Sequence, residues 1–252
     1  MKSVNLKLTG LAFFLASLFS CGSNPLDGFN VEQRYWNAND YDNVLTKIEF
    51  NTPKGEKFPC YGSPKAPIFT KLVDMNNYTV VLDDKALGLA HREEFAKKMF
   101  ENYEKMIELY SGTDSQDKFI YPLELADILI FGMDFQPRYF KTGNENILKE
   151  ADDPKSDEVQ RLVRDNEQTL IRNYAVDLDY INHESSFSPD ALSKYTAAVN
   201  KYYTKLINDY PDHDFEALLS KAQLMLQKAQ SAELKNVLNG IITLMNEKTK
   251  KE

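Results

Sequence analysis

The sequence is poor in the residues and patterns that most often carry chemistry. Only three histidines occur in 252 residues, and they lie far apart at His91, His183 and His213. His91-Arg92-Glu93-Glu94 is not the zinc helix pattern, which needs two histidines four residues apart with a glutamate after the first. The ten glycines are scattered, so no loop can cradle a phosphate. No Gly-x-Ser-x-Gly elbow occurs. Ser115-Gln116-Asp117-Lys118 meets the Ser-x-x-Lys spacing, but it has no companion motif and lies in a polar connection. Asp209, Asp212 and Asp214 lack the glycine turn and terminal glutamate of a calcium loop. Basic residues are outnumbered 38 to 30, for a net charge of −8. Nucleic acid is therefore not an expected partner, because phosphate contacts need clustered Lys and Arg. No metal and no cofactor is expected. The longest apolar run is about a dozen residues, short of the roughly 20 that cross a bilayer as a helix.

That run is the most informative stretch present. Lys2 and Lys7 give a positive start, Leu8 to Phe19 is largely apolar, and small Ser20 precedes Cys21. The layout is that of a signal peptide. Leu18-Phe19-Ser20-Cys21 resembles the lipobox of bacterial lipoproteins, although Phe19 departs from the usual small or aliphatic choice. The resemblance implies removal of residues 1–20, then lipidation of the Cys21 thiol, as a stable thioether, and of its new amino group, with fatty acyl chains such as palmitate. Two or more acyl chains hold a protein firmly to a bilayer, where one does so only marginally. No Asp follows Cys21, and by the family's sorting rule this points to the outer membrane, with the body facing the periplasm. Residues 21–30 are rich in Gly, Ser, Asn, Pro and Asp and read as a flexible tether. Ten such residues reach roughly 18 Å.

The remaining 31–252 has the length and composition of one globular domain, with a possible sub-division near 183–188. Loss of Lys2 and Lys7 leaves 28 basic residues against 38 acidic ones, a net of −10. If Cys21 carries lipid, Cys60 is the sole thiol and no internal disulfide can form. Cys60 reads as a buried, inert thiol, since no base or electropositive setting is evident.

Periodicity makes the domain mainly α, with little or no sheet. Val44, Leu45 and Ile48 predict a short helix over 42–50. Residues 51–70 carry four prolines and read as irregular. Tyr78 to Leu82 is rich in β-branched residues and reads as one short strand without an evident partner. Phe95, Met99, Tyr103, Met106 and Tyr110 share a helix face that stops at Ser111-Gly112. Pro122 opens a helix that is apolar nearly all round and is expected to be buried, with Gly132 and Pro137 breaking it. Another begins at Ser156, with Leu162, Leu170 and Tyr174 on its stripe. Ser188-Pro189-Asp190 is an N-cap, a first-turn proline and a first-turn acid in sequence. Pro211 ends that helix, Asp212 or Asp214 caps the next, and a third carries Leu234 to Met245.

The run from Ala198 to Ala229 resembles the junction of two tetratricopeptide-type helices, with Tyr210-Pro211-Asp212 at the turn and Ala222 as the small residue. A stacked array needs about three repeats, and one unit is visible. The expected fold is therefore an irregular helical domain that ends in an ordinary C-terminal helical hairpin or bundle, with a repeat domain as the alternative.

Aromatic residues gather at Phe119, Tyr121, Phe131, Phe135, Tyr139 and Phe140, around Gln136-Pro137-Arg138. Most such rings fill cores. Tyr and Arg are also favoured at binding hot spots, so Gln136, Arg138 and Tyr139, with Tyr35 and Trp36 after the tether, are the candidate partner contacts. The expected function is that of a membrane-anchored lipoprotein that binds another envelope protein and catalyses nothing. One alternative is an immunity lipoprotein that occludes a basic, envelope-targeted toxin. Another is an envelope hydrolase whose site residues are dispersed.

Overall fold

A computed structural model of the chain describes Leu26 and residues 28–249. Among these, helices α1 (Ala38–Asn51), α2 (Ala66–Leu72), α3 (Asn76–Leu82), α4 (Leu89–Tyr110) and α5 (Pro122–Glu150) come first. They are followed by α6 (Asp157–Asp177), a 3-10 segment (Leu178–Ser186), α7 (Pro189–Asp209), α8 (Glu216–Lys228) and α9 (Ala232–Thr249). The fold is mainly α. No strand occurs among the described residues, which hold one isolated bridge, Thr113 to Phe119.

Local chemistry sets many of the helix ends. Asn37 accepts the Asn39 and Asp40 backbone N–H groups, and Asp40 returns the favour to the Asn37 N–H, so a capping box starts α1 four residues earlier than its apolar period indicates. Ser156 and Ser188 cap α6 and α7 as their sequence predicts. Asp214 accepts the Glu216 N–H at 2.7 Å at the head of α8. Pro67 sits in the first turn of α2, so the segment 51–70 is not irregular throughout.

The segment read as a strand is α3. Its β-branched residues are outweighed by one buried side chain, Asn77. The Asn77 amide donates to the Tyr41 hydroxyl at 2.7 Å and to the Lys71 carbonyl at 2.6 Å. Its Oδ1 accepts the Trp36 N–H, also at 2.6 Å. All three partners lie outside the segment, so tertiary contacts override the local β preference.

Helix α5 passes unbroken through both residues expected to interrupt it. Gly132 is an opening rather than a stop: the Tyr103 ring of α4 lies directly over it. A Cβ there would sit 2.5 Å from Tyr103 Cε2 and closer still to Cζ and Oη. Pro137 removes the N–H that would have reached the Met133 carbonyl in a regular helix. The Tyr174 hydroxyl of α6 donates to that carbonyl instead. Both breakers are thereby absorbed by the neighbouring helices.

This helix is also the spine of the fold. Its 29 residues span about 43 Å. Ile128, Phe131 and Phe135 join a buried cluster with α1 to α4, while Leu125, Leu129 and Met133 join a second with α6 to α9. Apolar residues all round α5 are the sequence's expression of a helix covered on two sides. The two buried clusters thus meet along α5. Residues 183–188 are tied into the second cluster: the Ser186 carbonyl accepts the Phe119 N–H at 3.0 Å, and the Phe187 ring meets Phe119 edge-on at 4.8 Å.

Helix α7 packs on α5 and α9, and α8 packs on α9, α6 and the 3-10 segment. The two helices that flank Tyr210-Pro211-Asp212 therefore make their main contacts with α9 and not with each other. Helices α7, α8 and α9 together form the C-terminal helical bundle of an irregular helical domain. On α6, Leu170 and Tyr174 are buried as predicted, but Leu162 is exposed because no neighbour reaches that end of the stripe.

Among the described residues, one non-glycine backbone position is strained. Asp117 adopts φ 57° in the turn before Phe119, the left-handed region that suits glycine. Its side chain makes no hydrogen bond that would be lost, while its carbonyl accepts from Ser186 Oγ. Asp117→Gly is expected to raise stability by up to about 1 kcal/mol in urea denaturation.

Candidate functional site

Cys21 lies outside the described residues. Among the other candidates, Trp36 and Gln136 are buried, at 2% and 1% exposed. Trp36 is tied down by Asn77 and by its indole N–H, which donates to the Asn30 carbonyl at 3.0 Å. Tyr35 is 38% exposed. Tyr139 is half-buried and stacks on Phe100 at 4.8 Å.

Arg138 belongs to a built arrangement. Its Nε donates to both oxygens of Asp83 at 3.2 Å, and its Nη1 donates to Asp134 one helical turn back. The Tyr78 hydroxyl donates to the same Asp134 at 2.7 Å. The guanidinium lies 5.7 Å from the centre of the Tyr78 ring. Burial opposes the charge on Arg138, but Asp134 and Asp83 outweigh it and hold it protonated. Burial, and then Asp134, keep the Tyr78 phenol protonated far above neutrality. Consecutive residues of α3 thus hold two of the candidates: Asn77 fixes Trp36, and Tyr78 fixes the carboxylate that pairs with Arg138.

Beside Arg138 is a cleft of about 50 Å³ at the Pro137 position. Asp134, Pro137 and Arg138 of α5 line one side, and Tyr202, Lys205 and Asp209 of α7 the other. Lys205 pairs with Asp209, four residues on. The volume suits a water or two rather than a substrate. Its charges are matched locally, an arrangement that positions helices more readily than it transfers protons.

Two wider hollows lie end to end between α1 and α4. One, of about 290 Å³, is lined by His91, Glu94 and Lys98 against Asn37 and Asn39. The other, of about 300 Å³, is lined by Lys98, Glu101 and Lys105 against Asn39 and Asp42. Lys98 pairs with Glu94 at 3.0 Å, and Lys105 with Glu49 at 2.9 Å. The rim is polar and of mixed sign, which suits a wet protein contact better than an apolar ligand.

The other chemical candidates fall into structural roles. Lys118 donates to the Ser185 carbonyl, while Ser115 is exposed. His213 sits 3.0 Å from Glu167 and edge-on to Tyr210 at 5.3 Å. Cys60 is buried under the loop that Tyr110 and Tyr121 pin: the Tyr110 hydroxyl donates to the Pro59 carbonyl, and the Phe58 N–H donates to the Tyr121 hydroxyl, both at 2.8 Å. Among the described residues, no three His, Cys, Asp or Glu side chains gather as a metal site. No described helix is long and apolar enough to cross a membrane.

Sequence reasoning missed Tyr78 and Asp83 as partners of Arg138, although Asp134 at a four-residue spacing was a readable signal. No family model, curated protein or solved structure matches the chain.

Proposed function

We propose that this chain is a lipid-anchored protein of the bacterial cell envelope, facing the periplasm from the outer membrane, whose helical body binds another protein and catalyses nothing. The observation that carries the reading is Leu18-Phe19-Ser20-Cys21 at the end of a short apolar run. The paired charges at Arg138 and in the α1–α4 hollows support binding over catalysis. Arg138, Lys205 and Lys98 are each paired with a carboxylate, which fixes the side chains in place. Exposed Tyr35, next to the tether, and the mixed-sign α1–α4 face are the surfaces offered to a partner.

The net of −10 on the mature chain favours one second reading, an immunity lipoprotein that occludes a basic toxin. A strong field of one sign accelerates encounter with an oppositely charged partner. Under that reading deletion is harmless alone and lethal beside the cognate toxin.

Cys21→Ser tests the anchor. The natural chain is expected in the membrane fraction and the variant in the soluble periplasmic fraction. Affinity capture of the lipidated protein in gentle detergent is expected to recover a protein partner in near-stoichiometric amount. Membrane retention of the variant, or capture of no partner, contradicts the proposal.

A further inference from the structure

Asp177 ends α6 at the place where α4, α5, α7 and the 3-10 segment converge. It is 7% exposed, and its Oδ2 accepts one hydrogen bond, from Gln136 Nε2 at 2.8 Å. Buried carboxylates are ordinarily paired with a cation or ringed by several donors. Asp177 has neither. The hydroxyls around it are committed elsewhere: Tyr195 donates to the Asp177 backbone carbonyl, Tyr203 to the Tyr174 carbonyl, and Tyr174 to Met133. Tyr103, from α4, feels the Asp177 charge but has no hydrogen-bond partner, and Gln136 Oε1 also has none. Tyr180, on the 3-10 segment, completes a ring of phenols that burial, and then the carboxylate's charge, raise above their ordinary value. The nearby charges are engaged with others: Asp134 of α5 with Arg138, and Asp179 of the 3-10 segment with Lys221 at 2.6 Å.

We propose that Asp177 is a proton-operated latch: the fold is built around its neutral acid form, and ionisation places an unmatched charge at the seam of the two core clusters and loosens it.

The direction follows from the surroundings. Burial pushes the carboxyl up to about 7, and the Gln136 hydrogen bond only partly offsets this. In the unfolded chain it titrates at about 4. The stability tied to the proton is therefore fully present below pH 4. It is lost as pH rises from 4 through 7, and the loss is constant above that. Between those limits the folding constant falls about tenfold per pH unit from this group alone. The seam includes the turn from α6 into the 3-10 segment, so loosening is expected there first. A protein facing the periplasm would meet such changes in pH, but the latch rests only on the geometry of Asp177 and not on where the chain resides.

Two measurements test it on the full mature chain. Urea denaturation of the natural protein and of Asp177→Asn is compared from pH 5 to pH 8. The ratio of their folding constants is expected to shift at least tenfold in favour of the variant across that range. Parallel curves overturn the proposal. If the variant does not fold, a carboxyl-carbon NMR titration of the unaltered protein decides. A midpoint for Asp177 between 6 and 8 is expected, and a midpoint below 5 overturns it.

Discussion

Gly132→Ala is expected to destabilise the protein by about 3 kcal/mol, although alanine in a helix interior normally gains roughly 1 kcal/mol over glycine. The sign is set by Tyr103. Its ring is buried, with Phe131 at 6.4 Å and Phe100 at 6.2 Å on either side, so it has no room to swing away from a new methyl group. The methyl would lie well inside van der Waals contact of two ring carbons and the hydroxyl oxygen. Either α4 and α5 separate or the ring leaves its rotamer, and both disturb the most extensive helix packing in the fold. Tyr103→Leu should relieve the clash. Its hydroxyl has no hydrogen-bond partner, so the replacement orphans no buried group. In a double-mutant cycle by urea denaturation, the pair is expected to be more stable than the sum of the single changes by about 2 kcal/mol. Additivity would mean that the close approach of ring to helix is not what glycine is for.

Tyr174→Phe is expected to cost about 2 kcal/mol, because it orphans the Met133 carbonyl in a buried setting. The cost should depend on Pro137. In a chain that also carries Pro137→Ala, the restored backbone N–H reaches Met133 as in any α-helix, and the hydroxyl becomes dispensable. Tyr174→Phe should then cost well under 1 kcal/mol. The comparison separates a hydroxyl that repairs a proline from a ring that merely fills space. Equal costs in the two backgrounds would favour the second.

These two sites explain what the sequence could and could not convey. The start of α7 was legible because Ser188, Pro189 and Asp190 act on their own backbone. The face of α4 was legible because its partners need only be apolar. Gly132 and Pro137 were misread because their meaning is supplied by Tyr103 and Tyr174, about 30 and 40 residues away. The segment 76–82 was misread for the same reason: its β-branched residues are local, while Trp36, Tyr41 and Lys71 around Asn77 are not. Of the candidate contacts, Arg138 could be paired with Asp134 by spacing, but Trp36 and Gln136 carry no mark that separates a core ring or amide from a binding one. Asp177 did leave a trace. It follows Leu170 and Tyr174 at steps of four and three, on the buried stripe of α6, where an acid is out of place.

The anchor at Cys21 is the claim from which location and role both follow. Mass spectrometry of the N-terminal peptide, taken from protein purified out of native membranes, tests it directly. The account predicts a chain that begins at Cys21, with diacylglycerol on the sulfur and a fatty acyl group on the amine. A free Cys21 thiol, or a chain still beginning at Met1, would contradict it.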